Sequence, residues 1–248
     1  MKAIVLLLGL IFGNQIMAQT KIVAHRGYWK TEPKTAQNSI ESLKNAQNLG
    51  VYGAEFDVHM TKDGVLVVNH DNDINKVVIA EVDYKDLKKQ KLSNGEKIPT
   101  LKEYLKAGKK NKATRLIFEI KSAKSKELED ILVEKALKMV DLLNLEDQVD
   151  YISFSLNVCK TLKKLDPKTR VQYLSGDLSP REIKNLGFDG IDYHYSVFLE
   201  KNPTWIKEAK ELGLVTNAWT VNSKENFDKL VAQGIDWITT DIPNELNK

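Results

Sequence analysis

Short β-rich runs alternate with amphipathic segments along this chain, and no Pro-, Gly- or Ser-rich linker divides it. Nine runs have the composition of strands. They are residues 21–27, 53–60, 65–70, 115–121, 150–155, 170–176, 189–195, 214–222 and 236–241. Helical patterns separate most of them. This alternation predicts an α/β protein with a largely parallel sheet, folded as one domain over residues 19–248.

The helical patterns are recognised by apolar residues that recur every three or four positions. They lie at residues 38–49, 126–143, 157–165, 179–186, 203–212 and 223–233. The longest predicts one buried stripe, formed by Leu128, Ile131, Leu132, Ala136, Met139, Val140 and Leu143.

Only four residues, 61–64, separate the second strand-like run from the third. A parallel crossover needs about a dozen residues or more, so the third run is predicted to return antiparallel. Asp63-Gly64 supplies the positive φ of such a tight turn. If the second and third runs pair symmetrically about this turn, Asp57 lies opposite Val68 and Glu55 lies opposite His70. The alternative is a bulge that shifts this register by about one residue.

Without the return strand, eight strands remain, each followed by a helical pattern or connection. This predicts a (β/α)8 TIM barrel with a β-hairpin extension after the second strand. The alternative is an open doubly wound sheet. It is disfavoured because no Gly-rich phosphate-binding sequence follows the first strand.

Polar residues stand at the carboxyl ends of four predicted strands, where the active sites of such barrels lie. They are His25 and Arg26 on the first, Glu55 and Asp57 on the second, Glu119 and Lys121 on the next parallel strand, and Trp219 on the seventh. Side chains two apart on a strand share a face, and the return strand brings His70 beside them. An active site at this end of the barrel is therefore predicted.

The residue types at this end indicate a chemistry. Three carboxylates, those of Glu55, Asp57 and Glu119, suit one hard divalent cation, Ca²⁺ or Mg²⁺, rather than zinc. The cationic side chains of Arg26 and Lys121 suit a phosphate group. The histidines His25 and His70 supply the proton acceptor and proton donor that phosphodiester cleavage needs. The alternative for Glu119 and Lys121 is a surface ion pair at a frayed strand end.

The first residues have the layout of a secretory signal peptide, with a basic Lys2, an apolar run over 3–12 and small or polar residues up to Ala18. Cleavage is predicted between Ala18 and Gln19, followed by export to a periplasm or out of the cell. The apolar run is shorter than the roughly 20 residues that span a bilayer, so no stable membrane insertion is expected.

Composition narrows the possible partners. The 37 basic and 34 acidic residues give a net charge of +3, which offers no reason to expect a nucleic-acid partner. The single cysteine, Cys159, excludes an intrachain disulfide and stands in a helical pattern, as a half-buried helix position rather than a nucleophile. The sequence carries no signal for an oligomeric state.

The chain resembles the glycerophosphodiester phosphodiesterase family in a set of motifs that follow the family's order over the whole mature chain. The motifs are AHRG at 24–27, GAEFDV and TKDGVLVVNHD within 53–71, IPTL at 98–101, FEIK at 118–121, AWTVN at 218–222 and GIDWITTDIP at 234–243. The resemblance implies a barrel enzyme that hydrolyses small-molecule glycerophosphodiesters to sn-glycerol 3-phosphate and an alcohol.

The resemblance also implies roles for individual residues. Glu55, Asp57 and Glu119 would bind the metal, His25 and His70 would be the acid/base pair, Arg26 and Lys121 would hold the phosphate, and Trp219 would pack near the glycerol. In the family, the glycerol 2-hydroxyl is a candidate first nucleophile, which would form a cyclic intermediate that water then opens.

One motif departs from the family. Its Glu-Asn-Thr triplet appears here as Gln37-Asn38-Ser39, which removes one negative charge near the site. The three metal carboxylates remain, so activity is expected. Asn38 is a candidate substrate-site residue that hydrogen-bonds across the site, and its alternative role is to cap the following helix.

Two other functions remain open. One is the cleavage or cyclisation of lysophospholipids, which would require an apolar mouth, although residues 72–97 contribute only the short VVIA and predict an open pocket. The other is binding of phosphorylated ligands without turnover, as Gln37 would allow, although His25 and His70 would then have no role. Residues 192–195, at the sixth strand, are further candidate substrate contacts.

Overall fold

Eight parallel strands close into a barrel in the computed structural model, which describes residues 19–246. The strands of the chain are β1 (Lys21–Ala24), β2 (Gly53–Met60), β3 (Leu66–Val68), β4 (Asp73–Ile74), β5 (Val77–Val78), β6 (Arg115–Ile120), β7 (Val149–Ser153), β8 (Val171–Tyr173), β9 (Gly190–His194), β10 (Val215–Trp219) and β11 (Trp237–Thr240). β1 pairs with both β2 and β11, which closes the ring. The predicted barrel is confirmed and the open sheet is excluded.

Helices follow the barrel strands and cover the outside of the sheet. They are α1 (Ile40–Leu49), α2 (Tyr84–Leu87), α3 (Leu101–Gly108), α4 (Lys126–Leu142), α5 (Leu156–Leu165), α6 (Pro180–Asn185), α7 (Trp205–Glu211), α8 (Lys224–Ala232) and α9 (Pro243–Leu246). A 3₁₀ turn spans Ile79–Glu81 and a π-helical segment spans Val197–Lys201. The sequence patterns had not identified α3, which Thr100 and Glu103 begin with reciprocal capping hydrogen bonds.

The buried face of α4 differs from the predicted stripe. Leu132, Ala136 and Val140 are buried, but Leu128 and Ile131 are 38% and 43% exposed. The face is rotated toward Glu129, whose carboxylate is buried because it accepts a hydrogen bond of 2.8 Å from Ser155 Oγ. A polar contact therefore occupies part of the face that apolar spacing alone assigned to leucine. On α5, Cys159 is fully buried rather than half-buried.

The hairpin after β2 is present, with a register one residue from the symmetric one. Met60 pairs with Leu66 and Val58 with Val68, so Asp57 no longer faces Val68. The amide of Gly64 donates to Thr61 O, and Gly64 has a φ of +80°. The loop is thus a three-residue turn with its last residue in the left-handed region, and the odd loop length shifts the pairing by one.

The hairpin forms where β2 extends beyond β1. β1 pairs with β2 only at Gly53 and Ala54, and β6 occupies the opposite edge of β2. The edge beyond β1 is therefore free for β3, which pairs with β2 at residues 58–60. Residues that follow β3, including His70, are returned to the mouth of the barrel by this arrangement.

Residues 72–97, which follow the hairpin, pack onto its outer side. They form the β4–β5 pair and α2, and they bury Ile79, Leu87 and Leu92 in a small cluster with Val67 of β3. The segment thereby supports β3 from outside the barrel.

An apolar plug fills the barrel below its mouth. It is formed by Val23, Ile117, Ile152, Leu174 and Trp237. Side chains two apart on a strand share a face. His25 stands two positions after Val23, and Glu119 stands two positions after Ile117, so both polar side chains continue the inward-facing rows above the plug and are directed into the mouth. The plug is therefore the base on which the polar site stands.

Within residues 19–246 no helix has the length and apolarity that crossing a bilayer requires. The predicted signal peptide, residues 1–18, lies outside the described residues.

Candidate active site

Three carboxylates meet at the mouth of the barrel. Glu55 and Asp57 project from β2 and Glu119 from β6, where Asp57 and Glu119 are paired in register. One oxygen of each lies within 4.8 Å of the others, and all three residues are buried. Oxygen ligands of one Ca²⁺ or Mg²⁺ ion lie about 2.0–2.6 Å from it, which this spacing permits. Glu55 Oε1 also has no hydrogen-bond partner among residues 19–246, so the cluster fits a divalent cation.

The electrostatics of the cluster favour an added positive charge. Burial, followed by repulsion from Asp57, raises the pKa of Glu55 well above its usual range and that of Glu119 to about 8. Burial acts in the same direction on Asp57, but the charge of Lys121 outweighs it and lowers the pKa of Asp57 to about 2. Two of the three carboxyl groups are thus kept from ionising freely by their surroundings.

Lys121 is the cation inside this cluster. Its Nζ atom lies 2.7 Å from Asp57 Oδ1 and 2.8 Å from Glu119 Oε1, and its side chain is 14% exposed. The alternative of a surface ion pair at a frayed strand end is therefore wrong, because the pair is buried and joins two strands. Burial acts to lower the pKa of Lys121, but the two carboxylates outweigh it and raise the pKa.

Arg26 follows β1 in the left-handed region, with a φ of +56°. Its backbone N–H donates to Glu55 Oε2 at 2.7 Å, and its Nη1 donates to Gln37 Oε1 at 2.6 Å. Gln37, the residue that departs from the family motif, therefore still provides an oxygen acceptor that holds the guanidinium. The Nε atom of Arg26 lies 3.9 Å from Asp57 Oδ2.

Asn38 lies behind the carboxylate cluster. Its Nδ2 donates to Asp57 Oδ2 at 2.8 Å and its Oδ1 accepts from the Asp57 amide at 3.1 Å, and the residue is 1% exposed. The helix-cap alternative is wrong, because Ser39 caps α1 through the amide of Ser42. With its amide group directed at Asp57, we expect Asn38 to orient that carboxylate rather than to contact phosphate.

His25 follows β1 at the mouth, and a carboxylate holds its ring. Its Nδ1 lies 2.8 Å from Asp241 Oδ1, while Asn222 donates to the other oxygen, Asp241 Oδ2, at 2.8 Å. The sequence reasoning missed Asp241 as a site residue. The available signal was its position at the carboxyl end of the eighth barrel strand, within the motif at 234–243.

His70 stands opposite, after β3. Its Nδ1 lies 2.7 Å from Asp71 Oδ1, and its backbone carbonyl is 3.1 Å from His59 Nε2. Burial, aided by the positive charge of Lys121, lowers the pKa of His70, although the charge of Asp57 acts against this. The ring is therefore predominantly neutral near pH 7.

A cavity of about 110 Å³ joins these groups at the barrel mouth. Its lining residues include His25, Arg26, Glu55, His70, Glu119, Phe154, Asp192 and Trp219. The indole of Trp219 donates to Asp192 O at 2.9 Å and meets the ring of Phe154 edge-on at 5.5 Å. The structure thus brings both predicted histidines, two of the predicted metal carboxylates, Arg26 and Trp219 to one cavity.

The candidate substrate contacts at 192–195 separate in the structure. Asp192 lines the cavity, whereas Tyr193 is fully buried on the other face of β9, where its hydroxyl donates to Leu178 O at 2.8 Å. Tyr193 is therefore not a substrate contact. His194 packs edge-on against Trp219 at 5.2 Å.

A larger cleft, of about 400 Å³, lies at the opposite, amino-terminal end of the barrel. Its central charges are Arg115 and Arg170, and both pair with Asp150. The Asp150 carboxylate therefore neutralises part of the positive charge in this cleft.

This fold and site define a class of TIM-barrel proteins in which acidic, basic and imidazole side chains converge at the carboxyl-terminal mouth of the barrel. A family model described as the glycerophosphoryl diester phosphodiesterase family matches residues 25–245. The chain belongs to this family.

Individual relatives agree with that assignment. A glycerophosphodiester phosphodiesterase of Caldanaerobacter subterraneus subsp. tengcongensis is 30% identical over 243 residues, which cover 92% of this chain and 96% of the relative. The crystal structure of a glycerophosphodiester phosphodiesterase from Parabacteroides distasonis is similar with a TM-score of 0.90 and 50% identity, covering 92% of this chain and 95% of that one. A phosphodiesterase of Oleispira antarctica, solved with the product sn-glycerol-3-phosphate, shares the fold at 23% identity, with a TM-score of 0.81 and coverage of 92% and 95%.

Proposed function

We propose that this protein hydrolyses glycerophosphodiesters to sn-glycerol 3-phosphate and an alcohol, with a divalent cation, Ca²⁺ or Mg²⁺, and a histidine pair. The observation that carries the proposal is the single cavity that His25 and His70 line together with Glu55 and Glu119. The relatives' names and the product complex of the Oleispira antarctica protein support the substrate class.

Glu55, Asp57 and Glu119 are the proposed metal ligands, because their oxygens converge and, among residues 19–246, Glu55 Oε1 lacks a hydrogen-bond partner. A cation bound there would act as a Lewis acid on a phosphoryl oxygen. Arg26 and Lys121 are the proposed phosphate-binding cations. Both stand beside Asp57, so the positive charge needed to bind a phosphodiester lies at the cluster itself.

The two histidines have different surroundings, which suggests different roles. His70 is predominantly neutral because burial lowers its pKa, so it is the proposed proton acceptor for the attacking hydroxyl. His25 Nδ1 lies 2.8 Å from the Asp241 carboxylate, which fixes the orientation of the ring, so His25 is the proposed donor to the leaving oxygen. Attack of the glycerol 2-hydroxyl on phosphorus breaks the bond to the alcohol, which leaves with the proton from His25. Water then opens the cyclic phosphate with the two rings in reversed roles, which gives sn-glycerol 3-phosphate and returns both rings to their starting protonation states.

Neither alternative function gains support from a specific contact. The apolar segment VVIA does not provide an apolar mouth, because Ile79 is buried in the cluster outside β3 and Val77 packs against it. Binding without turnover was suggested by Gln37, but Gln37 keeps a hydrogen bond to Arg26. The diesterase reaction therefore remains the function that the geometry supports best.

The test is glycerol 3-phosphate release from glycerophosphocholine by residues 19–248, first with EDTA and then with Ca²⁺ or Mg²⁺. We expect release that depends on the cation and falls by about 10³-fold or more in His25→Ala, the scale of losing an essential acid/base group. Glu129→Gln is the matched control, because Glu129 is buried but outside the cavity. No release from several head groups with either cation would overturn the proposal.

Export is a separate proposal, supported by the pattern of residues 1–18. Fractionation of cells that express the full chain tests it. A mature protein that begins at Gln19 and leaves the cytoplasm is the expected result, and an uncleaved cytoplasmic protein would contradict it.

A further inference from the structure

The lining of the active-site cavity carries a buried carboxyl group that the proposed mechanism does not use. Asp192 is the third residue of β9, is 1% exposed, and lines the cavity beside Trp219 and Thr239. Among residues 19–246, its Oδ1 atom has no hydrogen-bond partner. A buried oxygen without a partner carries a desolvation cost, so each case calls for an explanation.

The neighbours of Asp192 do not provide an ionic partner. The adjacent amide, Asn217, donates to Thr239 Oγ1 at 2.9 Å and accepts from it at 3.3 Å. Burial raises the pKa of Asp192 to about 8, and only the nearby Asn217 amide acts against that rise. The carboxyl group is therefore predominantly protonated near pH 7, and it can both donate and accept a hydrogen bond.

The cavity around this carboxyl group has both apolar and polar lining residues. Ile152, Leu174 and the Trp219 ring contribute apolar surface, whereas Asp192 and Thr239 contribute oxygen atoms. At about 110 Å³ it is smaller than the roughly 300–1,000 Å³ of pockets for larger ligands. Such a space suits a short polyol, whose carbon atoms contact the apolar residues while a hydroxyl meets Asp192.

We propose that Asp192 is a specificity-determining residue that hydrogen-bonds a hydroxyl of the substrate's glycerol arm, a role that rests on the proposed function. The phosphate end is then placed toward Arg26 and Glu119, which line the same cavity. Trp219 fixes the position of this part of β9, because its indole N–H donates to the backbone oxygen of Asp192 itself. A ligand without a hydroxyl would leave the buried Asp192 carboxyl group without a hydrogen-bond partner, so the site discriminates against such ligands.

The test compares the binding of sn-glycerol 3-phosphate with that of methyl phosphate, which has no hydroxyl arm, by titration calorimetry with Mg²⁺ or Ca²⁺ present. We expect the wild-type protein to prefer glycerol 3-phosphate. Asp192→Leu should reduce that preference on the order of tenfold, the scale of one hydrogen bond, while methyl phosphate binding stays the same. Asp192→Asn keeps a donor and an acceptor and should retain most of the preference.

Gln172→Leu is the matched control. Gln172 is also buried, on β8, and its Oε1 also lacks a partner among the described residues, but it lines the cleft at the other end of the barrel. It should leave the preference unchanged. Circular dichroism establishes folding of each variant, and Asp192→Val serves if Asp192→Leu does not fold.

The outcomes separate this inference from the proposed function. A wild-type protein without preference for glycerol 3-phosphate would count against the proposed substrate class, and the role of Asp192 would fall with it. A wild-type preference that Asp192→Leu retains would overturn only the role of Asp192. Equal loss of both ligands in Asp192→Leu would also overturn it, because the residue would then support the barrel and not recognise a hydroxyl.

Discussion

The Nδ1 atom of His25 lies 2.8 Å from Asp241 Oδ1, so the carboxylate after the last barrel strand holds the histidine after the first. The contact depends on barrel closure, which places Ala24 of β1 opposite Thr240 of β11. The hydrogen bond that one ring nitrogen makes determines the tautomer of a neutral imidazole, and so determines whether the other nitrogen carries a proton. Asp241 is therefore the residue that we expect to orient His25.

Replacing Asp241 with Asn should lower kcat on the order of 10²-fold and change KM little, because an amide partner permits the wrong tautomer of His25. Steady-state hydrolysis of glycerophosphocholine measures both constants. Lys30→Ala is the control, since Lys30 contacts Asp241 only at 3.6 Å with a side chain that is 40% exposed. Equal kcat values for wild type and Asp241→Asn would contradict the orienting role.

The same pair predicts a dependence of stability on pH. Burial acts to raise the pKa of Asp241, but hydrogen bonding with His25 outweighs it and lowers the pKa from 3.8 to about 2. A carboxyl with a depressed pKa in the folded state contributes stability that is present above about pH 4 and is lost as the pH falls through 2. Urea unfolding should show that the difference in unfolding free energy between wild type and Asp241→Asn narrows between about pH 4 and pH 2. A constant difference would exclude this linkage.

Gln37 is expected to preserve the position of Arg26. Gln37→Leu removes the acceptor of the 2.6 Å hydrogen bond and should raise KM on the order of tenfold, with a smaller effect on kcat. Gln37→Glu restores the family residue and should keep activity, because a carboxylate holds the guanidinium at least as well. Steady-state kinetics of both variants tests this. The expectation fails if Gln37→Leu matches the wild type or if Gln37→Glu is inactive.

The metal proposal predicts opposite effects of Glu55→Gln on two protein forms. Burial raises the pKa of Glu55 well above its usual value, so the cation-free protein loses stability as the pH rises above about 4.5. Glu55→Gln should therefore raise the Tm of the cation-free protein at pH 7.5, by about 2–4 °C for each kcal/mol. It should also reduce the rise in Tm that Ca²⁺ or Mg²⁺ produces in the wild type.

Glu129→Gln is the control for this experiment. Its carboxylate is buried but accepts a hydrogen bond from Ser155, so its loss should lower the Tm without changing the effect of the cation. The metal assignment would be contradicted if Glu55→Gln and wild type showed the same shift in Tm with each cation.

The turn that returns β3 should be sensitive to Gly64. Its φ of +80° strains any residue with a side chain, so Gly64→Ala should cost about 1 kcal/mol and lower the Tm by about 2–4 °C. The added Cβ would lie 3.0 Å from Lys135 Nζ, a flexible group that can move, so the backbone carries the effect. Lys62→Ala, in the same turn, should change the Tm little. Thermal unfolding followed by circular dichroism measures both, and an equal Tm for the two variants would refute the argument.

Much of the fold was predictable because local signals agreed with the global topology. The alternation of strands and helices, and the length of residues 61–64, were sufficient to predict eight parallel strands and one antiparallel return. The register of β3 against β2 was not predictable, because a difference of one residue in the length of the turn decides it. The prediction of the buried face of α4 was also wrong. Apolar spacing does not reveal that Ser155, outside this helix, donates a hydrogen bond to the buried carboxylate of Glu129.

For the site, the sequence by itself determined which residue types stand at the carboxyl ends of the strands. Strand periodicity places Glu55 and Asp57 on one face of β2, and the alternation of strands and helices predicts a barrel with both residues at its rim. Only the tertiary structure decided which groups touch. Asp241 meets His25, Asn38 supports Asp57 and Asp192 lines the cavity because closure of the barrel joins positions far apart in the chain. The physical reason is the distance along the sequence over which each effect acts. Periodicity and turn chemistry involve only a few neighbouring residues, whereas the hydrogen bonds and desolvation of the site depend on residues that become neighbours only when the barrel closes.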